Sequence, residues 1–240
     1  MSPRRHPVLF ALVALPAAFA VGCIPTARLV IWLFGGRETV VGGKAGADRV
    51  RRSVGIGPAI ATAVIDSLKG YSVARLARHF GAGRNLTGAL AVTPLIAHIM
   101  VVRGRGASTA VGTAFAIDEP TMLVAGLPIV AGSIAKHHAF SVILGAITYV
   151  PVRWVFTRAW TAPVWGLVMV CVLAYARLRG EGNAVLPQRL TPELAWNRFW
   201  YDNDRPRRAP HFESERTVDA AAAAAGGAAP SGGAAPASRA

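Results

Sequence analysis

Seven apolar stretches, separated by short segments rich in glycine and arginine, limit what this chain can fold into. They cover residues 7–35, 54–76, 86–102, 107–117, 121–135, 139–152 and 160–176. A bilayer's hydrocarbon core is about 30 Å thick and takes about 20 helical residues to cross. Within it every backbone N–H and C=O must find a partner in its own segment, which a helix provides and an open strand does not. The predicted fold is therefore an all-α integral membrane protein. The stretch 107–117 is too short to cross unaided, so the expected count is six transmembrane helices without it and seven with it. With 53% of its residues hydrophobic and only 16% charged, the chain is too apolar for an ordinary soluble domain.

The net charge of +14 is distributed in a telling way. Of the 26 Lys and Arg residues, 17 lie within residues 1–176, together with only 5 of the 12 Asp and Glu. The excess thus sits between apolar stretches, not in a basic tail. Loops facing anionic lipid or a phosphorylated substrate account for it, and nucleic acid is not an expected partner. Cys23 and Cys171 both fall in apolar runs, which indicates neither a disulfide framework nor a zinc site. No cofactor or metal is expected.

Residues 1–23 have the layout of a lipoprotein signal: Arg4-Arg5, an apolar run over 8–20, then Ala20-Val21-Gly22-Cys23. Apolar sequence resumes at once after Cys23, so one uncleaved, polar-interrupted span over 7–35 is the preferred reading. Three regions follow: a helical bundle over 1–180, a polar cytoplasmic segment over 181–218, and a disordered tail over 219–240 made almost wholly of Ala, Gly, Ser and Pro. Within the middle region, 191–200 predicts a short helix with Thr191 as N-cap and with Trp196, Phe199 and Trp200 on the membrane surface.

Two Gly-plus-cation segments carry the chemistry. In Arg103-Gly104-Arg105-Gly106-Ala107-Ser108-Thr109, glycines allow backbone N–H groups to converge on an anion, since no Cβ blocks the approach. A helix starting near Ser108 or Thr109 would turn its free N–H groups and positive dipole end toward the same point, and Arg103 and Arg105 add forked donors suited to phosphate oxygens. A tight turn with two interface-anchoring arginines is the plainer alternative. The second segment has glycines at 35, 36, 42, 43, 46 and 55, with Arg37, Lys44, Arg49, Arg51 and Arg52. It reads as a positive-inside loop or as the other half of a phosphate site, with both segments expected on the cytoplasmic side.

Asp66 and Lys69 lie one helical turn apart inside an apolar stretch, so they are expected to pair on one face and to hold helices together. His98, lone on an apolar run, reads as a hydrogen-bonded core residue close to the first of these segments.

The order of these features resembles the bacterial acyl-phosphate:glycerol-3-phosphate acyltransferases, the PlsY family of small seven-span membrane enzymes. Four places carry the likeness. Gly22-Cys23-Ile24-Pro25 is similar to that family's G-S-I-P. The segment 41–55 resembles its G-S-G-N-x-G-A-T-N-x-x-R-x-x-G loop, keeping Gly43, Gly46, Ala47, Arg52 and Gly55. Asp66-x-x-Lys69-Gly70 matches D-x-x-K-G, and Gly104-Arg105-Gly106-Ala107-Ser108-Thr109-x-x-Gly112 resembles G-K-G-x-A-T-x-x-G, with His98 where the family has G-H. The chain departs from the pattern where Gly42, Lys44, Asp48 and Arg49 stand for Ser, Asn, Thr and Asn. Arg105 stands for Lys, and Arg177-Leu178-Arg179 answers R-H-R.

The resemblance implies transfer of a fatty acyl group from acyl phosphate to glycerol 3-phosphate, giving lysophosphatidic acid for phospholipid synthesis, in the bacterial inner membrane. It implies that Gly43, Gly46, Arg52, Gly104, Arg105, Gly106, Ser108, Thr109 and, by a loose alignment, Ser141 bind substrate phosphate. Asp66, Lys69, Gly70 and His98 would support the site. The partners would be those two substrates and membrane lipid, and no catalytic residue is assigned. Two other functions fit the sequence: a catalytically impaired member serving as a lipid- or phosphate-binding membrane scaffold, or a small transporter. A transport pathway would call for ionisable residues on several spans, and one intramembrane pair is seen.

Overall fold

The first apolar stretch is two helices, not one. In the computed structural model, which describes residues 7–36, 46–135, 137–158, 163–179 and 190–201, α1 (Pro7–Gly22) and α2 (Thr26–Leu33) meet at 43° across Cys23-Ile24-Pro25. Pro25 lacks an N–H and disfavours helical backbone at Ile24, so the polar-interrupted span expected over 7–35 takes the form of a bent pair of helices.

The remaining helices are α3 (Ala47–Val54), α4 (Ile56–His79), α5 (Arg84–Ala97), α6 (Ala107–Ile117), α7 (Glu119–Ile134), α8 (His138–Thr157), α9 (Pro163–Leu178) and α10 (Pro192–Tyr201). Local chemistry sets several of their ends. Gly55, at φ 104°, separates α3 from α4 in a conformation few residues other than glycine adopt. Asp118 caps α7 by accepting from the Thr121 amide (3.4 Å) and hydroxyl (2.7 Å), with Pro120 in the first turn where its missing N–H costs nothing. Thr191 is the N-cap of α10, as expected, accepting from the Leu194 amide at 3.2 Å.

By length and apolarity, α8 and the helix formed by α5 with the turn after it can each cross a membrane, and α1 with α2 makes a third, bent span. Helix α4 has 24 residues but carries Asp66, Lys69, Arg75 and Arg78; α6, α7 and α9 are shorter apolar helices. The outward faces of α4 and α7 expose Ile56, Ile60, Val64, Leu123, Leu127 and Ile134, the pattern of helices that meet lipid.

Small residues set the helix contacts, as in membrane bundles, where backbones gain dispersion by close approach. A Cβ added to Gly112 of α6 would run into the Ser67 backbone of α4. One on Gly70 would meet Thr109 and Thr113, one on Gly22 would meet Pro94 and Ala97, and one on Gly145 of α8 would meet Ala125 and Ile129 of α7. The main core, with Val92, Leu95, Ala110, Ala125, Tyr149 and Met169, lies among α5 to α9. Helix α3 packs through the fully buried Val50, flanked by Ala47 and Val54, in a cluster with Ala27 and Ile31 of α2.

Helix α10 modifies the expectation for its aromatic residues. Trp196 is exposed, but Phe199 and Trp200 are half-buried, with the Trp200 ring 5.2 Å from that of Phe140 on α8. Arg177 donates to the Phe199 carbonyl (3.2 Å) and Arg198 to the Leu178 carbonyl (3.1 Å), so the ends of α9 and α10 hold each other. The described residues all belong to one compact unit, 1–205; the tail over 219–240 and most of 181–218 lie outside the described residues.

Candidate functional site

The segment that carries the first Gly-plus-cation motif opens where α5 loses regularity. After Ala97 the helix widens into a π turn, His98–Val102, and Arg103 adopts the left-handed conformation at φ 60°. Such turns inside helices are commonly found at functional sites. The Gly104 amide donates to the His98 carbonyl (3.2 Å), and Gly106, also left-handed at φ 72°, leads directly into α6. The first bond within α6 runs from the Ala110 amide to the Gly106 carbonyl (2.8 Å), and no side chain caps the helix start. The amides of Ala107, Ser108 and Thr109 are thus first-turn donors at the positive end of the helix dipole, an arrangement that suits an anion.

Beneath this cradle lies the Asp66–Lys69 pair. The expected partnership forms: Lys69 Nζ donates to Asp66 at 2.7 Å, and also to the Ile24 carbonyl at 2.7 Å. Both residues are about 5% exposed or less. A buried pair is tolerable when its remaining bonding capacity is used, and here the break between α1 and α2 supplies a carbonyl acceptor. The neighbouring Ser67 hydroxyl donates to the Ser108 carbonyl (3.0 Å), tying α4 to the first turn of α6. Gly70, on the same face, admits Thr109 and Thr113 to close contact.

His98 is buried but is not the satisfied core histidine that its surroundings suggested. Its Nε2 edge faces Gly104 so closely that a Cβ there would collide with the ring, and its Nδ1 has no hydrogen-bond partner among the described residues. The Thr109 hydroxyl, fully buried, likewise has none.

The two Gly-plus-cation segments meet. Arg105 donates to Asp48, in the first turn of α3, at 2.6 Å. Gly46 is the residue from which α3 starts, and Arg52 lies four residues after Asp48, on the same helix face, and is exposed. No bond from Arg52 to the cradle is seen among the described residues. Gly43 lies outside the described residues. Ser141, near the start of α8, is buried with its side chain packed on Gly132 of α7.

An apolar groove runs along α6 between α7, α8 and α9. Ala107, Val111, Ile129, Val142, Ala146 and Val170 line it, Ala107 being its first residue on α6; Tyr149 is its last on α8 and faces Gly166, its first on α9. The neighbour of Ser141, Val142, therefore shares the groove with the first residue of α6.

A sequence profile of the glycerol-3-phosphate acyltransferase family matches residues 12–186. The chain belongs to this family. The glycerol-3-phosphate acyltransferase of Dechloromonas aromatica is 32% identical over 113 residues, which is 44% of this chain and 57% of that protein. One from Thermus thermophilus is 30% identical over 163 residues, 65% of this chain and 80% of the relative. The match thus spans little more than half the length of the Dechloromonas protein. Among solved structures, PlsY, an integral membrane glycerol 3-phosphate acyltransferase in its glycerol 3-phosphate form, aligns with a TM-score of 0.63 at 21% identity, covering 70% of this chain and 88% of that one. The fold is accordingly that of an all-helical integral membrane protein.

As a member of this family the chain pairs two of its departures with each other: Asp48, for Thr, bonds Arg105, for Lys. Helix α10 begins after the last residue matched by the profile. Sequence reasoning missed Ser67, whose place inside the D-x-x-K-G motif was its only signal. It also missed the bond of Arg153 to Asp118 (2.9 Å) and to the Tyr149 hydroxyl (3.2 Å). A separation of 35 positions between Asp118 and Arg153 left nothing to join them by spacing.

Proposed function

We propose that this chain transfers a fatty acyl group from acyl phosphate to the 1-hydroxyl of glycerol 3-phosphate, making lysophosphatidic acid for phospholipid synthesis. One observation carries the reading: uncapped amides, Arg105 and the mouth of an apolar groove converge at the start of α6. An anion and an acyl chain are the two ends of an acyl phosphate, and both substrates carry phosphate. The amides of Ala107, Ser108 and Thr109, presented by Gly104 and Gly106, would hold one phosphate with Arg105. Gly43, Gly46 and Arg52 would serve the other, and Ser141 would border the groove. Asp66, Lys69, Gly70 and His98 would keep α4, α5 and α6 in register beneath them.

Acyl phosphate is already activated, so the demand on the protein is to hold two anions close together and orient the hydroxyl. The hydroxyl oxygen attacks the acyl carbonyl carbon and the new ester C–O bond forms. The bond to the phosphate oxygen breaks, and inorganic phosphate leaves with that electron pair. The hydroxyl proton ends on a substrate phosphate, so no side-chain base is required. The protein would lie in the inner, plasma membrane with this site on the cytoplasmic side. Residues 1–180 form the bundle, 181–218 a polar cytoplasmic segment and 219–240 a dispensable tail.

The test is lysophosphatidate formation by purified protein supplied with acyl phosphate and glycerol 3-phosphate, wild type against Arg105→Ala. Loss of one charge-assisted bond removes about 1.5–3 kcal/mol, roughly ten- to a hundredfold in phosphate affinity. Absence of product from wild type with acyl phosphate would overturn the assignment.

A further inference from the structure

We infer that the Tyr149 ring is the floor of the acyl groove and sets the chain length it accepts; this rests on the acyl-transfer reading above. The groove begins at Ala107, one residue past Gly106, and is lined by apolar atoms down to Tyr149. There it stops for a chemical reason. One helical turn beyond Tyr149 is Arg153, which is buried and bonded to Asp118 (2.9 Å), one turn beyond Ala114 on the facing helix. A hydrocarbon end pushed into that ion pair would strip polar groups of their surroundings without replacing them.

The ring is also fixed in place. Its hydroxyl accepts from Arg153 at 3.2 Å, it is 3% exposed, and its edge lies about 3 Å from where a Cβ on Gly166 of α9 would stand. Glycine at that position lets α9 close over the ring, so the floor is wedged between α8 and α9 instead of swinging with its rotamer.

The depth follows from helix geometry. From Ala107 to Ala114, and equally from Val142 to Tyr149, is seven residues, about 10 Å of rise. One leaflet of the hydrocarbon core is about 15 Å deep. A chain long enough to fill a leaflet therefore does not fit between cradle and ring, and the groove favours shorter ones.

Protein in lipid nanodiscs, incubated with an equimolar even-numbered series from butyl to octadecyl phosphate, is assayed by mass spectrometry of the retained ligand; these probes carry the phosphate and chain but cannot transfer an acyl group. Wild type should retain one favoured length, Tyr149→Phe the same one, and Tyr149→Ala one displaced by at least one step toward longer chains. Ala146→Phe, which narrows the groove above the floor, should shift retention toward shorter chains, and it carries the test if Tyr149→Ala does not fold. The same distribution in wild type and in whichever variant folds overturns the floor, as does an equal shift in Tyr149→Phe and Tyr149→Ala. Parallel turnover with acyl phosphates of the same lengths separates the two readings. Length-selective retention without turnover by wild type overturns acyl transfer and keeps the floor, whereas turnover with an unmoved length profile overturns only the floor.

Discussion

Arg105 reaches across 57 residues of chain to place a guanidinium nitrogen 2.6 Å from the Asp48 carboxylate. The two side chains are 34% and 52% exposed, so the pair adds little to stability, about 0–1 kcal/mol, and salt screens it. Its consequence is local. The cation nearest the start of α6 in sequence already has a carboxylate beside it, and that carboxylate stands where the loop pattern that residues 41–55 resemble has threonine.

Replacing Asp48 with Thr should therefore leave the unfolding temperature in detergent unchanged and tighten glycerol 3-phosphate binding at low salt. A unit negative charge removed from the edge of a partly solvated anion site contributes on the order of 1 kcal/mol, about fivefold in affinity. The gain should shrink as salt is raised. Weaker binding by Asp48→Thr would mean that the carboxylate positions Arg105 more than it neutralises it.

The buried Asp66–Lys69 pair behaves differently, because neither residue has water to fall back on. Asp66→Asn strands an ammonium against the Ile24 carbonyl, and Lys69→Met strands a carboxylate; each should cost about 3–5 kcal/mol and appear as a loss of folded protein on size-exclusion chromatography. The double variant should be less destabilised than the sum of the two, because no unpaired charge remains. Additive losses would show that the two charges do not depend on each other.

These cases mark what a sequence discloses. Asp66 and Lys69 could be paired by their spacing on a helix, and the cradle by its glycines, because both are local in the chain. The π turn at His98–Val102 and the left-handed Arg103 had no such signal: Pro94 and Gly104 flank them, but neither residue type by itself specifies a widened turn. Asp48 was legible only as a departure from a pattern, and its meaning waited on Arg105. The Tyr149–Arg153–Asp118 network joins two helices at a register that only their packing fixes.

Two glycines in helices supply a matched comparison of packing. A Cβ on Gly112 would strike the Ser67 carbonyl and force α4 from α6, whereas one on Gly57 meets nothing within 4 Å. Gly112→Ala should lower stability by about 1–3 kcal/mol, the usual range for overpacking. Gly57→Ala should be neutral or raise it by about 0.4–1 kcal/mol through loss of unfolded-state entropy. Thermal unfolding in one detergent ranks them, and equal midpoints would contradict the close α4–α6 approach.

The most direct test of the cradle's geometry uses Gly104 and His98 together. Gly104 does not have a positive φ, so alanine is allowed by its backbone, and the atoms a Cβ would strike first all belong to the imidazole ring. Gly104→Ala should push that ring out and tilt the turn that presents the α6 amides, weakening glycerol 3-phosphate binding by about tenfold, within the roughly 1–3 kcal/mol that overpacking costs. His98→Ala opens the space, and the double variant should regain most of the affinity lost in Gly104→Ala. If His98 touched the substrate itself, the double variant would bind no better than His98→Ala, and His98→Ala alone would already bind weakly. Losses that simply add would place the ring and the turn in independent roles, against the contact between them.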